Sequence, residues 1–381
     1  MKRLFVLLLA LVLLLPGCAA EPAVTEPAIT MPPATEPVTE PVTEPVTEPV
    51  TEPVTEPTTE PVTEPAPTEP EALYAHPLTG RPLQEPYTGR PMAVVINNVV
   101  YALPQHGVSQ ADMIFELETE GGVTRQLGIF TQLDQIPKIG PIRSARTYFN
   151  AIAYSFDAPI VHCGASYVAV QGYLNYFDNK ISNWEHMDSH FAGKYFYRDK
   201  TRLAQGFATE HTLFTTGEKL LTAIENRGYT RKSTEPLDYG YTFSDEVLLE
   251  GESGLALTVP FNGGKKMKFT YDTGKGVYNA IQYGKQYIDG NTNQRVDFKN
   301  VLVLYASQKK IKSDYGNHSF YGLTGSGSGY FACNGQVIPI KWKHSAYSKP
   351  FSFYTEDGEP LTLGVGETYV GITSVKKFQY E

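Results

Sequence analysis

Arginines and carboxylates are the residues with chemistry to offer. Residues 138–148 read KIGPIRSARTY, which sets Arg143 and Arg146 three apart after a Gly-Pro turn and before an apolar helical stripe. If Ser144 is the N-cap of that helix, its hydroxyl accepts from an orphan backbone N–H. Arg143 then stands just outside the helix and Arg146 in its first turn. Cations there oppose the helix dipole, at a cost of about 0.3–1 kcal/mol each. An anion held by the free N–H groups and both guanidinium groups would reverse that cost, and Gly140 lets backbone come close. The competing reading is internal pairing. Glu116, Glu118 and Glu120 lie on the preceding hairpin, Glu116 and Glu120 share a face by strand alternation, and Arg143 or Arg146 could hold one of them. Arg125 on the third strand and Asp112 at the start of the second could join the arginines at one sheet edge, where open α/β sheets place ligands. The alternative for Asp112 is a strand-entry or turn role. His162 ends an apolar strand, where a satisfied buried imidazole competes with a role in the site. The candidate ligand-binding set is Asp112, Glu116, Glu120, Arg125, His162, Arg143, Ser144 and Arg146.

No metal site is expected. His186 and His190, in WEHMDSH, have a spacing that could put two imidazoles on one helix face near Asp188, but no Glu follows the first His, and Ser and Gly nearby suggest a loop. Cys163 and Cys333 lie far apart, with no CxxC, which suggests neither a disulfide framework nor a cysteine metal site. The run Gly325–Gly329 (GSGSG) lacks the GK[ST] ending of a phosphate loop and reads as a turn among hairpins. No catalytic residue or cofactor declares itself, so whether the chain is an enzyme stays open.

These side chains must be positioned by elements that the pattern also shows. Met92–Ile96 is a continuous apolar run, a buried-strand pattern. Residues 112–131 read as a hairpin turned at Gly121-Gly122. Phe149, Ile152, Ala153 and Phe156 form a helical stripe. Ala158–Val161 is a strand, with helices expected near Val168–Leu174 and over Gly217–Asn226. Strands alternating with helices argue for an α/β domain over 77–235, a mixed sheet sandwiched by helices. From 236 to 381 the chain is rich in Tyr, Val, Thr and Phe, with hairpin turns such as Asp272-Thr273-Gly274 and Asn334-Gly335, and reads as a mostly β domain, a small sandwich or barrel.

The N-terminus, MKRLFVLLLALVLLLPGC, has a basic n-region, an apolar run too short for a comfortable membrane span, and a lipobox-like ending. Residues 1–18 are read as a lipoprotein signal peptide, with Cys18 the lipidated residue. Residues 19–76 form a stalk in which Thr-Glu-Pro recurs every four residues. Proline at that period excludes helices and ladders, and residues 21–71 could reach up to about 150 Å at roughly 3.1 Å per residue. The whole chain has 32 Lys+Arg and 41 Asp+Glu; residues 1–71 hold 2 and 12 of these, leaving 30 against 29. So near-neutral a folded part offers no broad field for nucleic acid.

The stretches RPMAVVINN, QHGVSQADMIFE, EGGVTRQLGIF, KIGPIRSAR and VIPIKWKHSAYSKPFSFYTEDGEPLTLGVGETYVGI resemble, in order, the YerB-type lipoproteins of Gram-positive bacteria. The resemblance implies a lipid anchor, an α/β domain followed by a β domain, and no established reaction. The expected function is thus that of a lipid-anchored, extracytoplasmic envelope protein that binds a wall component, an anion or a partner protein through its α/β domain. An alternative is phosphotransfer: AVVIN, SQADMIFEL and IGPIRSART loosely resemble the start of the LytR-CpsA-Psr glycopolymer transferases. That resemblance would put Arg125, Arg143 and Arg146 on phosphate oxygens and Asp112 on a metal, although Ser144 stands where those domains usually have Asp. A transporter's substrate-binding protein fits less well, since its two lobes should be alike.

Overall fold

The run MAVVINN becomes β1 (Met92–Asn98), with every residue buried. It is apolar at consecutive positions because both faces of its sheet are covered. Val94 and Ile96 enter one core, Ala93 and Val95 the other. The structure is a computed structural model that describes residues 74–166, 186–188, 193–230, 232–233, 235–313 and 316–381. Met1–Pro67 falls into a unit apart from Thr68–Glu381. The leader, Cys18, the Thr-Glu-Pro repeat, the helix expected near Val168–Leu174, and His190 lie outside the described residues.

The expected hairpin forms from β2 (Met113–Glu118) and β3 (Thr124–Phe130), in a register that sets Glu116 against Gln126 and Leu117 against Arg125. Helix α1 (Thr147–Ser155) buries Phe149, Ile152 and Ala153 in the core that Val95 enters. Strands β4 (Ile160–His162) and β5 (His186–Asp188) add to β1 in parallel. Residues 186–188 are therefore strand, not helix, and His190, the partner of His186 in WEHMDSH, lies outside the described residues. Helix α2 (Gly217–Asn226) is capped by the Thr216 hydroxyl, which accepts from the Lys219 N–H. A Cβ on Gly217 would lie 1.6 Å from the Leu133 carbonyl oxygen, so only glycine lets the helix start so close.

The C-terminal part supplies β6 (Ala256–Pro260), β7 (Lys266–Asp272), β8 (Val277–Gln282), β9 (Asn300–Tyr305), β10 (Ser307–Ser313), β11 (Gly316–Gly322), β12 (Gly325–Cys333), β13 (Gln336–His344) and β14 (Thr368–Thr373). Not all of them form a sandwich or barrel of their own. Strands β13, β12, β9 and β14 continue the large sheet, in the order β13-β12-β9-β14-β2-β3-β1-β4-β5. Strand β14 lies parallel to both β9 and β2, so the composition shift near residue 235 marks no break in the sheet. A separate antiparallel sheet is built on β6, β7 and β8. Its Leu257, Val259, Phe269 and Tyr278 share a core with Ile96, Val301 and Tyr369 of the large sheet, and α2 adds Leu220 and Ile224 to the same core. The result is mixed α/β and mostly strand, with a second sheet where a covering layer of helices was expected.

Candidate functional site

Strand alternation sorts the polar residues of the hairpin into two groups. Glu116, Thr124 and Gln126 face the second sheet. Arg125, like its register partner Leu117, faces the α1 side. Glu116 and Arg125 are thus on opposite faces, which is why Glu116 pairs with none of the three arginines.

Glu116 is fully buried instead in a network that joins the two sheets. Its Oε1 accepts from Asn98 Nδ2 (2.9 Å) and Thr124 Oγ1 (2.6 Å), and its Oε2 from Tyr369 OH (3.1 Å) and Gln126 Nε2 (3.3 Å). Lys265 Nζ lies 3.8 Å from Oε1 and donates to Gln282 Oε1 at 2.6 Å. Tyr287 OH donates to Gln126 Oε1, and Gln105 Nε2 to Asn98 Oδ1. Burial pulls the Lys265 ammonium below its ordinary range, and Glu116 opposes that shift.

The arginines do meet, on the other side. Arg125 Nη1 donates to the Ser144 carbonyl oxygen at 2.6 Å, and Arg146 Nη1 to Ala145 O at 2.8 Å. Burial and the nearby Arg146 and Arg143 charges pull the Arg125 guanidinium down to about 9. Arg146 grips Glu120, with Nε and Nη2 both on Oε2 at 2.7 and 2.5 Å. The Glu120 carboxyl is pushed up by burial, but the Arg146 bond and charge outweigh this and hold it below its ordinary value. The pairing reading is therefore met for Arg146 and Glu120.

Ser144 is not the helix cap. The cap position is Arg146, in extended conformation, with no side-chain capping bond, and the helix begins at Thr147. Both arginines thus precede the first turn, and the dipole cost inferred for Arg146 inside the helix does not arise. Ser144 contributes its carbonyl oxygen to Arg125 and so fixes the 143–146 loop.

Arg143 is the guanidinium left incompletely used. Its Nη1 is 3.3 Å from Glu210, whose side chain is 55 % exposed, and its buried Nε has no hydrogen-bond partner among the described residues. Its backbone N–H donates to Val95 O of β1. His162 ends β4, the parallel neighbour of β1, and its Nδ1 donates to Gly164 O at 2.8 Å. Near Arg143, His211 sits beside Asn97, with Nδ1 2.9 Å from Asn97 Nδ2. Burial holds the His211 imidazolium below its usual range. His211 also lines an open groove of about 480 Å³ with Val100, Tyr101, Leu103 and Phe207. Tyr101 is 76 % exposed on its wall.

Asp112 does not join the arginines. It precedes β2, at the opposite end of the hairpin from the Leu117–Arg125 pair, and its Oδ2 accepts from Thr131 N–H (2.7 Å) and Thr131 Oγ1 (2.8 Å). That is the strand-entry role. Burial pushes its carboxyl up to about 6. The metal-holding part assigned to Asp112 by the phosphotransferase resemblance has none of Arg125, Arg143 and Arg146 beside it in this geometry.

Models of the N-terminal and C-terminal domains of a protein of unknown function, DUF3048, match residues 78–230 and 257–370. The chain belongs to the DUF3048 family. It is 31 % identical over 314 residues to YerB of Bacillus subtilis (strain 168), provisionally named a lipoprotein, covering 78 % of this chain and 85 % of that one. The crystal structure of YerB from Bacillus subtilis superposes with a TM-score of 0.67 at 27 % identity, over 80 % of this chain and 99 % of that one. The resemblance read from the ordered motifs thus stands.

In this DUF3048 chain, sequence reasoning passed over Asn98, Lys265, Gln126, Tyr369, Tyr101 and Glu210. A signal existed for two of them. Gln126 and Asn98, like Glu116, interrupt otherwise apolar strands, and buried polar groups require partners. Nothing local marked Lys265, which follows Gly263-Gly264 like an exposed turn residue.

Proposed function

We propose that this DUF3048 protein is an extracytoplasmic lipoprotein, anchored through Cys18, that binds an anionic envelope component at Arg143. The anchor reading is supported by the leader and its Leu-Pro-Gly-Cys ending, and by the lipoprotein name of the related YerB. The binding reading is carried by one observation: Arg143 keeps a buried Nε–H without an acceptor among the described residues, close to Arg125, whose guanidinium is pulled down by burial and then by the Arg146 and Arg143 charges. An incoming carboxylate or phosphate would satisfy that donor and compete with the exposed Glu210. Tyr101 offers a flat apolar face to the uncharged part of a wall polymer or of an envelope protein.

The test is calorimetric unfolding with and without pyrophosphate. A ligand that prefers the folded state raises its stability by about 2.7 kcal/mol at a hundred times its Kd. The native chain should show the rise and Arg143→Gln should lose it. Equal shifts in both proteins would refute the site. Incorporation of labelled palmitate, abolished by Cys18→Ser, tests the anchor separately.

A further inference from the structure

Two clefts elsewhere on the fold share one wall of glycine backbone, formed by Gly121, Gly122 and Gly263. A Cβ on Gly263 would lie 1.8 Å from the Gly122 carbonyl oxygen, so the two turns touch backbone to backbone. One cleft, about 630 Å³, carries Lys309 and Lys310 from β10. The other, about 570 Å³, carries Lys266 and Lys268 from β7. All four lysines are exposed, and none has a carboxylate at ion-pair distance among the described residues. Lys266 and Lys268 stand on the outer face of β7, with Met267 and Phe269 turned inward. Two residues along a strand place them about 7 Å apart on one side.

The carboxylates in the walls do not neutralise these lysines. Glu118 accepts from the Gly263 N–H at 2.9 Å, and Glu120 is taken by Arg146 and by the Ser319 N–H at 3.0 Å. The clefts therefore pair spent carboxylates with unspent cations. None of the large exposed apolar side chains, Tyr74, Val100, Tyr101, Leu203, Leu248 and Leu255, lies in either cleft, so nothing there would enter a bilayer.

We propose that these two clefts form one track for a linear polyanion, crossing the glycine wall between Lys309–Lys310 and Lys266–Lys268. Side-chain-free backbone at the crossing lets a polymer lie close, and lysines, as mobile point charges, accept phosphodiester or carboxylate groups without a fixed geometry. The track is independent of the Arg143 reading.

The test uses the full chain carrying Cys18→Ser, so that no acyl group is present, titrated with sodium polyphosphate, poly-L-glutamate and phosphatidylglycerol vesicles. Polyphosphate should bind, and binding should weaken as salt is raised. The combined variant Lys266→Gln, Lys268→Gln, Lys309→Gln, Lys310→Gln should lose at least about tenfold in affinity with an unchanged melting midpoint, while Arg143→Gln binds as the native chain does. Equal affinity for polyglutamate would support the track and extend it to carboxylate polymers. Absent binding, or binding indifferent to the four lysines, would overturn the proposal. Lysine-dependent binding to vesicles but not to polyphosphate would overturn it too, in favour of a membrane surface.

Discussion

Replacing Lys265 with Met tests whether the buried network couples the two sheets. Glu116 is fully buried and Lys265 is 7 % exposed, with their charged atoms 3.8 Å apart. At an effective dielectric constant of about 20, unit charges at that distance attract by about 4 kcal/mol. Lys265→Met removes this attraction and leaves a buried carboxylate, but Asn98, Thr124, Gln126 and Tyr369 still donate to it. We therefore expect a loss of about 3 kcal/mol, the lower end for a broken buried pair. Glu116→Gln should cost a similar amount, because Lys265 then keeps the Gln282 carbonyl oxygen and the Tyr283 ring face but loses its carboxylate counter-charge. The double variant should recover roughly 2 kcal/mol relative to the sum of the singles. Urea unfolding followed by circular dichroism gives all four values. Additivity within about 0.5 kcal/mol would refute the coupling, and with it the claim that this pair joins the sheets.

Asp112→Asn should leave stability near pH 4 unchanged and raise it above pH 7. The folded carboxyl is raised from 3.8 to about 6, so its contribution to folding is present at acidic pH and is lost as pH rises through about 6. Two pKa units correspond to about 3 kcal/mol, and the side chain's partial solvent contact reduces the expected gain to about 2; a pH series of melting midpoints reads it. Arg146→Gln should cost about 1–2 kcal/mol at pH 7, since Glu120 loses the partner that holds its carboxyl down; that cost should disappear as pH falls through the Glu120 titration, which chemical denaturation across pH 3–7 would show. Gly263→Ala should destabilise by several kcal/mol, because the new methyl meets backbone at 1.8 Å and no side chain can yield; an unaltered melting midpoint would contradict it.

The local elements were legible because their signals are local. The Gly121-Gly122 turn, the Phe149–Phe156 stripe and the Gly217–Asn226 helix all formed where the pattern set them. The meeting of Arg125 with Arg143 and Arg146 was legible as well, Arg125 from its place on the third strand and the other two from their spacing on one loop. The error over Glu116 was avoidable. It is an odd number of residues from Leu117, the register partner of Arg125, and strand parity alone separates the two faces. The insertion of β14 beside β2 was not legible. Period and propensity say which residues make strands but not which strands pair across the chain. For the same reason Tyr369 and Lys265 could not be linked to Glu116 from sequence: their neighbourhood exists only once both sheets do.

The place of β14 also bears on how the molecule is made. Met113 of β2 and Thr368 of β14 are register partners although some 250 residues separate them. The middle of the large sheet therefore has the longest loop to close, and such long-range pairing is slow to form. Until residues 368–373 arrive, β2 presents an open edge of backbone donors and acceptors, the kind of edge that recruits other chains. A chain exported from its N-terminus would cross the membrane with that edge unfilled until residues 368–373 have followed. Protection of β2 from proteases or chaperone binding should then appear late, together with the arrival of β14.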